Sequence, residues 1–137
     1  MRIGEIIKAL EEWAPPALQE SYDNSGLIVG NSDWETQGVL VALDCLESVV
    51  DEAIEKKVQF IVAHHPIVFS GLKRFNGHTY IERVIMKAIK HNIAIYAIHT
   101  NLDNVLWGVN AKIMSLLGVT DHKVLSPMPD ALYKFQV

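Results

Sequence analysis

Only one cysteine, Cys45, stands among the 137 residues, which excludes an intramolecular disulfide and a Cys-x-x-Cys ligand pair. Its place beside an apolar run suits a buried thiol rather than a nucleophile. Basic residues are outnumbered, 12 Lys and Arg against 16 Asp and Glu for a formal net charge of -4. That balance offers no electrostatic footprint for nucleic acid, which is not expected as a partner. No apolar run approaches the roughly 18 residues of a membrane span. The start, Met-Arg-Ile-Gly-Glu-Ile, puts an acidic residue where a signal peptide runs apolar. The expectation is a soluble, cytoplasmic protein with no membrane partner. Also missing are a nucleophile-elbow serine, a glycine-rich phosphate loop and a dinucleotide fingerprint. Metal chemistry is the strong catalytic option that remains.

What is present is an apolar fraction of 50% with 20% charged residues, the composition of one globular domain with a sizeable core. Ile3, Ile6, Ile7 and Leu10 recur at helical spacing between Arg2 and Trp13, and Pro15 with Pro16 ends that helix. Ser21 to Gly26 is a turn-forming cluster leading into a short strand, Leu27 to Gly30. Val39 to Leu43 reads as a strand followed directly by Asp44, with a helix from about Glu47 to Lys57 after it. Phe60 to Ala63 is a strand that ends on His64, His65 and Pro66. A helix from about Thr79 to Lys90 then precedes a strand over Ile93 to Ile98, which runs into His99-Thr100-Asn101-Leu102-Asp103. The last helix, about Val109 to Leu117, is stopped by Gly118. Strands alternating with helices give an α/β fold with a mixed, largely parallel sheet flanked by helices.

In such sheets ligands bind beyond the carboxyl ends of the strands, where Asp44, His64, His65 and His99 all fall. Adjacent side chains on a regular strand face opposite ways, so His64 and His65 can converge only where Pro66 ends the ladder. Asp103 adds a hard oxygen able to accept two ions. Two imidazoles and a carboxylate suit zinc, iron, manganese or cobalt rather than calcium. The alternative is that the histidines merely cap a strand. His99 is a third imidazole, a group that orients a ligand, or a satisfied core histidine. Asp44 either caps the helix after it or hydrogen-bonds a ligand from behind, a role in which Asn101 is placed with it. His78, His91 and His122 read as structural or solvated.

Ser-Tyr-Asp-Asn-Ser-Gly-Leu (residues 21–27), Ala-Leu-Asp (42–44), Ala-His-His-Pro-Ile-Val-Phe (63–69) and Ala-Ile-His-Thr-Asn-Leu-Asp (97–103), in this order and spacing, closely resemble the Nif-three-like family, often labelled GTP cyclohydrolase I type 2. The likeness runs from the first helix to about Gly118. It implies a fold of two intertwined halves, a dinuclear centre and a toroidal homohexamer, with His64, His65 and Asp103 as metal ligands; for two-metal hydrolysis at such a centre, His99 is the catalytic group that would hydrogen-bond the water or substrate. Family members take further ligands from a C-terminal His-x-x-x-Glu motif, and none follows Asp103 here. The chain therefore resembles the N-terminal half of a long-form member. Residues 1–118 would be the metal-binding domain, 119–131 a linker, and 132–137 the start of a truncated further strand or insertion domain. Two divalent ions are expected in an intact member, one or none in this chain. The activity implied is that of a metal-dependent hydrolase acting on a nucleotide or phosphoester. The alternative is a non-catalytic scaffold or metal chaperone working through protein partners.

Overall fold

The computed structural model describes residues 1–127, so the strand expected over 132–137 lies outside the described residues. Two apolar runs, β3 (Phe60–Ala63) and β4 (Ala94–Ala97), pair in parallel and are buried at every position. Helices cover both of their faces, which is why neither run alternates with polar residues. Outside them lie β2 (Val39–Ala42), parallel to β3, and β1 (Gly26–Val29), antiparallel to β4, giving the order β1-β4-β3-β2.

On one face α2 (Glu47–Glu55) and α3 (Tyr80–Lys90) bring Val50, Ala53, Val84, Ile85 and Ala88 onto Ile61, Ala63 and Ile95. On the other, α1 (Ile3–Trp13) lays Ile3 onto Phe60, Val62, Ala94 and Tyr96. Cys45 is buried in the first cluster, and burial pushes its thiol up to about 12, as expected of a packed rather than a reactive thiol. Thr79 starts α3: its hydroxyl accepts the Glu82 N–H at 3.2 Å, while the Glu82 carboxylate accepts the His78 N–H at 3.0 Å. This reciprocal arrangement closes the polar loop before the helix. Gly30 leaves β1 with φ near 99°, and a Cβ there would fall 2.6 Å from the Ala94 Cβ. Only glycine permits both that backbone and that approach.

Two strands stop one residue short of their expected ends where the chain turns at the sheet edge: β2 ends at Ala42 and β4 at Ala97, while β3 ends at Ala63 as expected. The structure adds two short elements that periodicity did not show, a 3-10 turn at Pro16–Leu18 and α4 (Thr100–Asn104). The latter occupies the polar stretch after β4 and is followed by α5 (Val109–Leu116). Because β2, β3 and β4 are parallel, their carboxyl ends share one edge. Because β1 is antiparallel, with Gly26 opposite Ala97, the loop that enters β1 arrives at that same edge. No helix among the described residues is long and apolar enough to cross a membrane.

Candidate functional site

In a regular strand, successive N–H groups point to opposite neighbours. Beyond Ala63 they do not: His64 donates to the Ala42 carbonyl at 3.1 Å and His65 to the Leu43 carbonyl at 3.0 Å. Both bonds face the β2 side, so the chain has left strand geometry before the buried Pro66. The two side chains are thereby released from opposite faces, and their rings lie 5.0 Å apart. His99 closes the group, its ring 5.3 Å from that of His64 and 5.5 Å from that of His65. One donor nitrogen from each of the three lies within 4.8 Å of the others.

Each ring also makes a hydrogen bond through Nδ1. His64 meets the Ile98 carbonyl at 2.9 Å, His65 meets Asp44 Oδ1 at 2.7 Å, and His99 meets Asp23 Oδ1 at 2.8 Å. These partners are a carbonyl and two carboxylates, which only accept when ionised, so Nδ1 is the donor in each neutral ring. The Nε2 lone pairs are left for whatever enters the site. This is the arrangement of metal-ligating histidines, whose other nitrogen is held by an oxygen behind the ring. Asp103, from α4, stands 3.8 Å from His64 Nε2 and lies outside the three-nitrogen group.

Asp44 does not cap α2, whose N-cap is Leu46 without a side-chain cap. It bonds His65 instead. Asn101 is fully buried and, among the described residues, hydrogen-bonds to backbone rather than to an imidazole ring: its Oδ1 accepts the His99 N–H at 2.9 Å, and its Nδ2 donates to the Ala14 carbonyl at 2.8 Å. It moors the His99 backbone to the end of α1. His78, His91 and His122 are exposed, as expected. The aromatic rim consists of Phe69, its ring 6.5 Å from that of His99, and Tyr22, 6.4 Å from Phe69.

The Duf34/NIF3 (NGG1p interacting factor 3) family model matches residues 1–135. The chain belongs to the DUF34/NIF3 family. A curated relative from Halalkalibacterium halodurans, a "GTP cyclohydrolase 1 type 2 homolog", is 44% identical over 133 residues, covering 96% of this chain and 36% of that protein. A protein of the same name from Clostridium acetobutylicum is 36% identical, across 92% of this chain and 47% of its own length. The crystal structure of a Bacillus cereus protein related to NIF3 superposes with a TM-score of 0.88 at 40% identity, over 94% of this chain and 35% of that one. This DUF34/NIF3 chain thus spans a third to a half of the length of these relatives.

Sequence reasoning assigned no role to Asp23, although its loop was one of the quoted motifs. In this DUF34/NIF3 chain the Asp23 side chain is 0% exposed and accepts from His99, from the Thr100 N–H at 3.1 Å and from the Thr100 hydroxyl. Ser25 Oγ and the Asn24 N–H also donate to it, at 2.8 and 2.6 Å. Burial alone would raise this carboxyl, but the bonds from Thr100, His99, Ser25 and Asn24 outweigh that effect and hold it well below the ordinary carboxylate range. Asp23 also satisfies the first N–H of α4, the helix that carries Asp103.

The far end of α4 is fixed by Gly108, whose position admits no side chain, since a Cβ there would overlap the Leu102 carbonyl oxygen and meet Val105 Cγ1 at 2.8 Å. Gly108→Ala is expected to cost about 1–3 kcal/mol by overpacking, read as a lower midpoint in urea. Because Leu102 precedes Asp103, the same variant should also bind zinc more weakly in a competition titration if Asp103 is a ligand. Unchanged stability and affinity would show that α4 is not held in place there.

Proposed function

We propose that His64, His65 and Asp103 hold divalent metal, and that this chain supplies the N-terminal part of the centre of a metal-dependent hydrolase. Two ions would occupy that centre in a protein of the relatives' full length. The observation that supports this most is the convergence of the His64, His65 and His99 rings, each with Nδ1 bonded outward. The donor set fits zinc, iron, manganese or cobalt: three imidazoles beside one carboxylate, none of them a soft thiolate. When bound, such ions supply Lewis acidity, polarising an electrophile and making water nucleophilic near neutral pH. His99 presents Nε2 as the acceptor for the proton that water or substrate gives up.

Openness favours turnover over a closed structural site, since the His65 and Asp44 side chains are 46% and 52% exposed. Phe69 and Tyr22 add an exposed apolar surface on the His99 side. The name borne by the relatives places GTP beside simple phosphoesters among the substrates to be tried. The homo-oligomer expected from the resemblance and the cytoplasmic location expected from the composition and the first residues remain part of this proposal. Val39, Val41 and Leu43 are apolar and exposed along β2, which supports contact with further protein there.

The test is elemental analysis of the purified chain and of His65→Ala, followed by assay with a phosphoester and with GTP after loading with zinc, manganese or cobalt. Turnover that tracks metal content and disappears in the variant supports a hydrolase. Metal held without turnover would move the reading to a scaffold or metal chaperone. A chain that retains no metal after loading would sink both.

A further inference from the structure

Deepening the proposed function and resting on it for the purpose of the site, we infer that Asp23 is the positioning residue of His99, fixing it as the Nδ1–H tautomer so that Nε2 is a bare proton acceptor facing His64 and His65. A neutral imidazole carries one N–H, and an unconstrained side chain in water favours the proton on Nε2. In that form His99 could accept nothing from the site. Asp23 reverses the preference, because its Oδ1 lies 2.8 Å from Nδ1 and can only accept.

The carboxylate can impose this because it cannot itself turn. Of the donors that hold it besides His99, the N–H groups of Asn24 and Thr100 belong to the backbone and cannot reverse. The Thr100 hydroxyl is committed too, since its Oγ1 accepts the Glu20 N–H at 2.9 Å and so turns its proton to Asp23. Burial strengthens the constraint, with 0% of the Asp23 side chain and 20% of the His99 side chain exposed. The comparable pair, Asp44 with His65, is about half exposed on both sides and competes with water. Of the two carboxylate–imidazole pairs hydrogen-bonded through Nδ1 at this edge, the buried one serves the ring given the proton-accepting role. The loop over residues 20–25 is thereby the second wall of the site and not merely the lead into β1.

The proposal is tested on the metal-free chain with 15N-labelled histidine, by long-range proton–nitrogen NMR at mildly alkaline pH, which reports which ring nitrogen carries the proton. His99 is expected as a single Nδ1–H tautomer, while exposed His122 serves as the unconstrained control with its proton mainly on Nε2. In Asp23→Asn the amide cannot accept on both of its ends, and His99 is expected to lose the single tautomer and gain the Nε2–H form. A wild-type His99 that matches His122 would overturn the inference even if the variant did not fold. So would an Asp23→Asn protein whose His99 pattern is unchanged. No metal enters the measurement, so failure here leaves metal binding standing, and failure to bind metal leaves the tautomer result standing.

Discussion

His64→Ala is expected to lower the zinc affinity of this chain by more than about 100-fold. Loss of an outer hydrogen-bonding partner of a metal ligand typically costs about 10–100-fold, and here the proposed ligand itself is removed. His64 is also the member of the imidazole group within 4 Å of Asp103, so its loss separates the nitrogen donors from the carboxylate. The fold should survive: the ring is partly exposed, and its truncation leaves the Ile98 carbonyl without that partner, a cost of about 1–3 kcal/mol. Asp44→Asn keeps every proposed ligand and replaces only the carboxylate that accepts from His65, so it belongs in the lower range, about 10–100-fold. His78→Ala should change nothing. The measurement is competition with a chromogenic chelator, with unfolding curves for each variant. His64→Ala binding within threefold of wild type would eliminate His64 as a ligand.

The features that could be read from the sequence are those whose physics is local. Phe60 to Ala63 announces a strand buried on both faces, and Pro66 announces where it must end. The spacing of Ile81, Val84, Ile85 and Ala88 announces the face that α3 buries. The convergence of Asp44, His64, His65 and His99 followed from parallel strands sharing a carboxyl edge. What was not legible depends on contacts between segments far apart in the chain. The direction of β1 is set by its partner, not by its own residues, and only the antiparallel pairing brings Asp23 to His99, 76 positions away. α4 has five residues, too few for a periodic pattern, and its first N–H is satisfied by that same distant Asp23. The partners of Asn101 were hidden for a related reason: they are backbone groups at His99 and Ala14, and side-chain chemistry says nothing about which backbone will be near.

Asp23→Ala is expected to destabilise the chain by about 2–6 kcal/mol, because the N–H and the hydroxyl of buried Thr100 both lose their acceptor and each such buried donor costs about 1–3 kcal/mol. Against a typical total of about 5–15 kcal/mol, that is enough to unfold a marginal protein. Acid should reproduce the loss in wild type. The folded-state carboxyl of Asp23 lies below the ordinary value near 3.9, so its contribution is complete above that value and is withdrawn as pH falls through it toward the folded-state one. Within that window the wild type takes up one more proton on unfolding than Asp23→Asn does, and its stability must fall more steeply with acid. Urea denaturation at a series of pH values would display the difference as a flatter acid limb in the variant. Parallel limbs would mean that Asp23 titrates alike in the folded and unfolded chains, and hence that its hydrogen bonds do not favour the ionised form. The same carboxylate would then be a poor anchor for α4 and for the imidazole of His99 alike, since both depend on an acceptor that stays charged while buried.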